Sequence, residues 1–118
     1  MKKTLTLFLI SLVFITCSKT KEKTFELTEF KIEDISIRAI ETLDENTMWF
    51  AGSNGKIGFT NDGGKSWNID SIYFDTLKPE FRSIAIKDSS IFVLSIASPA
   101  LLFKSMNKGK DWELVYKE

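Results

Sequence analysis

The sequence predicts an all-β chain: two four-stranded antiparallel blades of a β-propeller, an incomplete ring, behind an N-terminal signal segment. Three observations carry that expectation. From Ile35 onward helical periodicity is absent, and short runs rich in Ile, Phe, Val and Trp are punctuated by Gly, Asn, Asp and Pro. The segment "IRAIETLDENTMWFAGSNGKIGFTNDGGKSW" (Ile37–Trp67) lies over "FRSIAIKDSSIFVLSIASPALLFKSMNKGKDW" (Phe81–Trp112), with Arg38 recurring as Arg82 and Trp67 as Trp112. A repeat near 45 residues holding four short strands is the spacing of propeller blades. Finally, "MWFAG" and "IFVLSIA" are apolar at consecutive positions, so both faces of these strands need cover, which neighbouring blades supply.

Taken in order, residues 1–16 read as an export signal. Lys2 and Lys3 precede an apolar run from Leu5 to Ile15, shorter than the roughly 20 residues a membrane helix needs. Cys17 follows at once, and the segment resembles a bacterial lipoprotein signal, with Phe14 and Thr16 where that family prefers an aliphatic and a small residue. The resemblance implies that Cys17 is lipidated and becomes the mature N-terminus of an exported, membrane-anchored protein. Acyl burial contributes about 0.8 kcal/mol per methylene, and more than one chain makes the attachment stable.

Residues 17–35 form a charged tether that then alternates weakly through Phe25, Leu27, Phe30 and Ile32, a pattern read as a lone strand. The first blade is assigned to residues 36–75, with strands at 36–42, 47–52, 56–60 and 67–72. The second is assigned to 76–118, with strands at 81–87, 90–96, 100–105 and 112–116.

Composition closes several routes. The chain has no histidine, and Cys17 is its single cysteine, so no disulfide staples the fold and the usual acyl-transfer triad or zinc site lacks its ligand type. No metal or other cofactor is expected. Without Lys2 and Lys3 the mature chain keeps 14 of its 16 Lys and Arg against 16 Asp and Glu, which offers no electrostatic case for nucleic acid.

The segment "TNDGGKSW" (Thr60–Trp67) invites a functional reading. A phosphate loop needs a glycine five residues before Gly64 and a helix afterwards, but position 59 is Phe and Trp67-Asn68-Ile69 continues as strand. An EF-hand loop needs further alternating ligands and a terminal Glu, which are missing. The segment instead resembles the Asp-box, S/T-x-D-x-G-x-x-W, of BNR-type propellers such as sialidases, sortilin-like receptors and the Ycf48-like photosystem II assembly factors. Thr60, Asp62, Gly64 and Trp67 fill its four positions, and Ser105, Asn107, Gly109 and Trp112 repeat them with Asn for Asp. Trp49, Gly52 and Gly55 match the "W-x-x-G-x-x-G" that precedes the box in the Ycf48-like family, which the chain resembles most over about two thirds of its length. The box occupies the hairpin between the third and fourth strands. There Asp62 accepts turn amides, Gly64 takes a positive φ, Thr60 bonds across the turn and Trp67 returns to the blade interface. Lys65 and Ser66 read as filler, and uncharged Asn107 predicts a weaker second turn. The resemblance implies that the box marks the fold and lies away from the ligand face.

The candidates for a working surface are few. Arg38 and Arg82 fall short of the three arginines of a sialidase, and their repeat relation favours a structural role within each blade. Tyr73 and Phe74, in the variable segment "DSIYFDTLKPEF", either form a contact surface or pack on the neighbouring blade. Glu41, Asp44, Glu45, Asp75, Glu80 and Asp88 leave paired-carboxylate chemistry open. The sequence therefore supports a non-enzymatic, lipid-anchored scaffold that binds a protein partner and aids assembly or stability, with a fragment of a glycan-active Asp-box enzyme as the alternative. Closed propellers use four to eight blades, so two blades read as a fragment of a longer propeller, or else as a unit that self-associates through its open faces.

Overall fold

A computed structural model describes residues 21–118. Residues 1–16 and Cys17 lie outside the described residues. Eight strands form two antiparallel meanders. Blade 1 holds β1 (Ile37–Thr42), β2 (Met48–Gly52), β3 (Lys56–Thr60) and β4 (Asn68–Ser71). Blade 2 holds β5 (Glu80–Lys87), β6 (Ser90–Ile96), β7 (Leu101–Ser105) and β8 (Glu113–Lys117). In both sheets spatial order follows chain order, and no helix lies among the described residues beyond a single turn at Ser53–Gly55. Each first strand carries an irregularity at the same place, between Ile37 and Ala39 in β1 and between Phe81 and Ser83 in β5. Repeat symmetry thus extends to backbone detail.

The sheets pack face to face, with β5 lying against β1 and β2. Side chains alternate across each strand, so β2 sends Trp49 and Ala51 toward blade 2, while β6 sends Ile91, Val93 and Ser95 toward blade 1. Ile57, Ile72, Phe81, Ile84, Leu101 and Phe103 complete the buried core between the blades. Phe81 meets Phe103 edge-on at 6.1 Å. Each fully buried aliphatic or aromatic side chain contributes about 1.5–3 kcal/mol, so this shared core is the chief reason the blades stay together.

On the other face of blade 1, Phe50 lies across β3 where Gly58 leaves room: a Cβ there would stand 2.1 Å from the Phe50 ring. The register puts Val93 and Phe103 at the corresponding places of blade 2. The large ring has moved from one strand to its neighbour, with valine rather than glycine opposite it.

The lone strand expected near Phe25–Ile32 does not form. Residues 21–36 carry no strand, and Phe25 and Leu27 are exposed. A strand needs a neighbour for its backbone groups, and among the described residues no backbone hydrogen bond pairs residues 21–32 with a strand. Among the described residues its aromatic contact is Phe30 on Trp67, 6.5 Å between ring centres.

Candidate functional site

The strands have two ends of different character. At one end lie the β1–β2 hairpin and the Asp-box hairpins, joined where Gly63 N–H donates to the Asn46 carbonyl at 2.9 Å. At the other lie the Ser53–Gly55 turn, the blade-linking loop after β4 and the Ala97–Ala100 loop.

In the first box the Thr60 hydroxyl donates to Asp62 Oδ1 at 2.8 Å and accepts the Gly64 amide at 3.0 Å. Thr60 itself is buried, and these bonds satisfy it. Asp62 Oδ1 also accepts the Ser66 amide at 3.0 Å, and Asp62 Oδ2 accepts the Ser66 hydroxyl at 2.6 Å. Ser66 is therefore a working member of the turn rather than filler. Its hydroxyl, then its amide, and then Thr60 hold the Asp62 carboxyl down to about 2. Gly64 has φ +85°, the left-handed region that suits glycine.

The second box keeps the geometry and exchanges the chemistry. Ser105 donates to Asn107 Oδ1 at 3.0 Å and accepts the Gly109 amide at 2.9 Å. Asn107 Oδ1 accepts the Asp111 amide at 2.9 Å, while Asn107 Nδ2 donates to Asp111 Oδ2 at 2.6 Å. Asp62–Ser66 has become Asn107–Asp111: the carboxylate moves four residues along and donor and acceptor trade places. Setting the tryptophans aside, each turn makes five side-chain bonds, so Asn107 leaves its turn no poorer in them than the first.

The two tryptophans differ. Trp112 packs on the core between the blades, and its Nε1–H donates to the Gly109 carbonyl at 3.1 Å. Trp67 sits half-buried on the outward face of blade 1, 5.1 Å from Phe50. Among the described residues, Phe30 lies against its other side, 6.5 Å between ring centres. Among the described residues no buried side-chain polar atom lacks a partner, and no cluster of His, Cys, Asp or Glu can hold a metal.

The opposite end gathers the other candidates. Arg38 Nη1 forms an ion pair with Glu80 Oε2, binding β1 of one blade to β5 of the next. Glu80 Oε1 accepts the Asn54 amide at 3.2 Å, and this bond, then Arg38, lowers the Glu80 carboxyl below its usual range. Arg38 is thus a bond between blades, not within one. Arg82, its repeat counterpart, is exposed and makes no ion pair among the described residues.

Tyr73 and Phe74 part company. Phe74 packs on the core with Lys117 Nζ 4.8 Å over its ring. Tyr73 points outward at 56% exposure, beside Leu77, which is exposed on the same loop. A mutual pair of backbone bonds between Phe74 and Leu77, at 3.1 and 2.8 Å, holds the loop in shape.

The carboxylates are scattered rather than paired. Asp44 caps the β1–β2 hairpin by accepting the Asn46 and Thr47 amides, both at 2.8 Å, and those amides lower its pKa. Asp75 and Asp88 sit in turns with positive φ, and Glu80 is committed to Arg38. An open groove of about 510 Å3 runs between the blades on the box side, with Trp49, Ile57 and Phe59 as its apolar wall and Lys108 and Lys110 on its lip.

Comparison with known proteins agrees with this architecture. No curated protein matches the chain. A solved structure titled "YCF48 bound to D1 peptide" superposes with a TM-score of 0.62 at 18% identity, covering 71% of this chain and 27% of its own. YCF48 from Cyanidioschyzon merolae gives 0.55 at 19% identity, covering 70% of this chain and 24% of its own. The chain spans about a quarter of the length of these structures, and at such identity the likeness shows the fold. The family model described as photosynthesis system II assembly factor YCF48 matches residues 17–118, and the chain belongs to that family.

Proposed function

We propose that this chain is an exported, lipid-anchored propeller module that holds a protein partner at a membrane as an assembly or stability scaffold, without catalysing a reaction. Family membership over residues 17–118 carries the reading. A solved relative holds a D1 peptide, and by analogy the partner here is a peptide segment of another protein. No photosystem is implied by the residues of this chain. The two blades serve as part of a larger propeller, and the partner docks at the end away from the boxes, where Tyr73 and Leu77 are exposed. Aromatic side chains of this kind anchor protein contacts.

The anchor rests on Cys17. Labelled palmitate is expected to enter the chain and to be lost with Cys17→Ser; a chain that stays unlabelled contradicts the anchor. For the scaffold, native electrophoresis of solubilised membranes is expected to place the chain in a larger complex from which Tyr73→Ala releases it. A chain that migrates alone in both cases contradicts the reading.

A further inference from the structure

The Ser53–Gly55 turn carries an Asn-Gly pair where the two blades join. An asparagine followed by glycine can close its side-chain amide on the next backbone nitrogen, because glycine puts no side chain in the way. Asn46, Asn61, Asn68 and Asn107 precede Thr, Asp, Ile and Lys instead. At position 55 glycine is required: its φ is +69°, and a Cβ there would overlap the Ile72 carbonyl oxygen. The loop at the same place in blade 2, Ala97–Ala100, holds no asparagine.

Hydrogen bonds hold the reacting groups apart. Gly55 N–H donates to the Pro79 carbonyl at 2.7 Å, Asn54 Nδ2 donates to the Asp34 carbonyl at 3.0 Å, and the Asn54 amide donates to Glu80 Oε1 at 3.2 Å. The Gly55 nitrogen must shed its proton to attack, and the Pro79 carbonyl holds that proton in place. Its direction is also wrong. At φ 60° and ψ 28° for Asn54, tetrahedral geometry at Cα turns the Gly55 nitrogen nearly opposite to Cβ, whereas ring closure needs it on the Cβ side. Both obstacles vanish when the turn leaves Pro79 and Glu80, where β5 of the other blade begins.

We propose that Asn54 is a deamidation site gated by the blade junction: it converts only while the turn stands open from β5, and conversion keeps the junction loose. In the open turn the Gly55 nitrogen bonds to Asn54 Cγ, the Cγ–Nδ2 bond breaks, and ammonia leaves with the proton that the Gly55 nitrogen carried. Water then opens the succinimide at either carbonyl, giving aspartate or isoaspartate, with no change of oxidation state. Neither product restores the closed turn. A carboxylate has no hydrogen for the Asp34 carbonyl and sets a negative charge beside Glu80. Isoaspartate also lengthens the main chain by a methylene, next to a glycine that has no spare room. Both sides of this junction lie within the two blades, whatever precedes or follows them.

The test incubates the chain carrying Cys17→Ser at neutral pH in water labelled with heavy oxygen, which marks amides converted during the incubation. Peptide mass spectrometry then follows Asn54 and separates aspartate from isoaspartate. Conversion is expected to be at least about tenfold slower in the native chain than in the same chain unfolded in urea, the factor that 1.4 kcal/mol of opening free energy gives. Glu80→Gln and Arg38→Gln each weaken the junction, and each is expected to raise the native rate about two- to fivefold, with the rate in urea and the β-sheet circular dichroism spectrum unchanged. Chains converted at Asn54 are expected to unfold at a lower urea concentration than fresh ones. Equal rates in native and unfolded chains overturn the gate, as does a native rate that neither substitution raises. An unchanged urea midpoint after conversion overturns the loosening.

Discussion

Gly109→Ala is expected to cost far more stability than the same change at its repeat counterpart Gly64. Both glycines sit at positive φ, +77° and +85°, so each alanine carries about 1–2 kcal/mol of backbone strain. At Gly109 the new methyl also lands 2.5 Å from Cη2 and 2.8 Å from Cζ3 of Trp49, which the opposite blade holds in place. Overpacking of this kind costs about 1–3 kcal/mol. At Gly64 the nearest atom is the flexible end of Met48 at 3.6 Å, ordinary contact. The difference between the two variants is therefore the packing between blades, about 1–3 kcal/mol. With a urea slope of about 1 kcal/mol per molar for a domain of this size, the Gly109→Ala midpoint falls about 1–3 M below that of Gly64→Ala. Urea titrations followed by circular dichroism measure it. Trp49→Leu removes the obstacle, so the double variant is expected to lose less than the sum of the singles. Equal midpoints for Gly64→Ala and Gly109→Ala refute the claim that Trp49 seats on the second box.

Three further outcomes follow from the side-chain chemistry. Asn107→Asp, which brings the second box nearer the Asp-box pattern, sets two carboxylates at the 2.6 Å contact now made by Asn107 and Asp111; it lowers stability at neutral pH by about 1 kcal/mol and the loss shrinks in acid, both readable from melting temperatures. Glu80→Gln removes a partly exposed ion pair between the blades and is expected to cost about 0.5–1 kcal/mol, with a smaller difference in 1 M salt; a salt-independent loss contradicts the assignment. Asp62, held down to about 2 against roughly 3.9 when unfolded, gains no proton until well below the pH at which the unfolded chain does. Its contribution is complete above about pH 4 and is lost as pH falls toward 2, so Asp62→Asn flattens the stability profile in that window, and parallel profiles contradict it.

The strands were legible because their signals are local. Apolar runs bounded by Asn, Asp and Gly announced β2, β3, β6 and β7, and the repeat set the register of two blades. What stayed hidden depends on groups far apart in sequence or on which neighbour is present. Arg38 and Glu80 are 42 residues apart and meet across blades; because Glu80 has Ser36 at the matching place in blade 1, the repeat gave no hint of the pair. Ser66 and Asp111 occupy an unspecified position of the box pattern. Only the exchange of Asp62–Ser66 for Asn107–Asp111 reveals their role, and that exchange was visible in the aligned repeats. Phe25 and Leu27 alternate as a strand does, but alternation cannot supply the edge to pair with. Trp67 and Trp112 match in sequence and are both half-buried, yet they pack on different neighbours, Trp112 on the core between the blades and Trp67 against Phe50 and Phe30.

The central claim is that this family member holds a protein at the end of its blades opposite the Asp-boxes. Photo-crosslinking in intact membranes tests it most directly, with a benzoyl-phenylalanine probe in place of Tyr73 and, separately, of Asn61, which is exposed beside the first box. One discrete protein adduct is expected from position 73 and none from position 61. No adduct from position 73, or the same adduct from both, contradicts it.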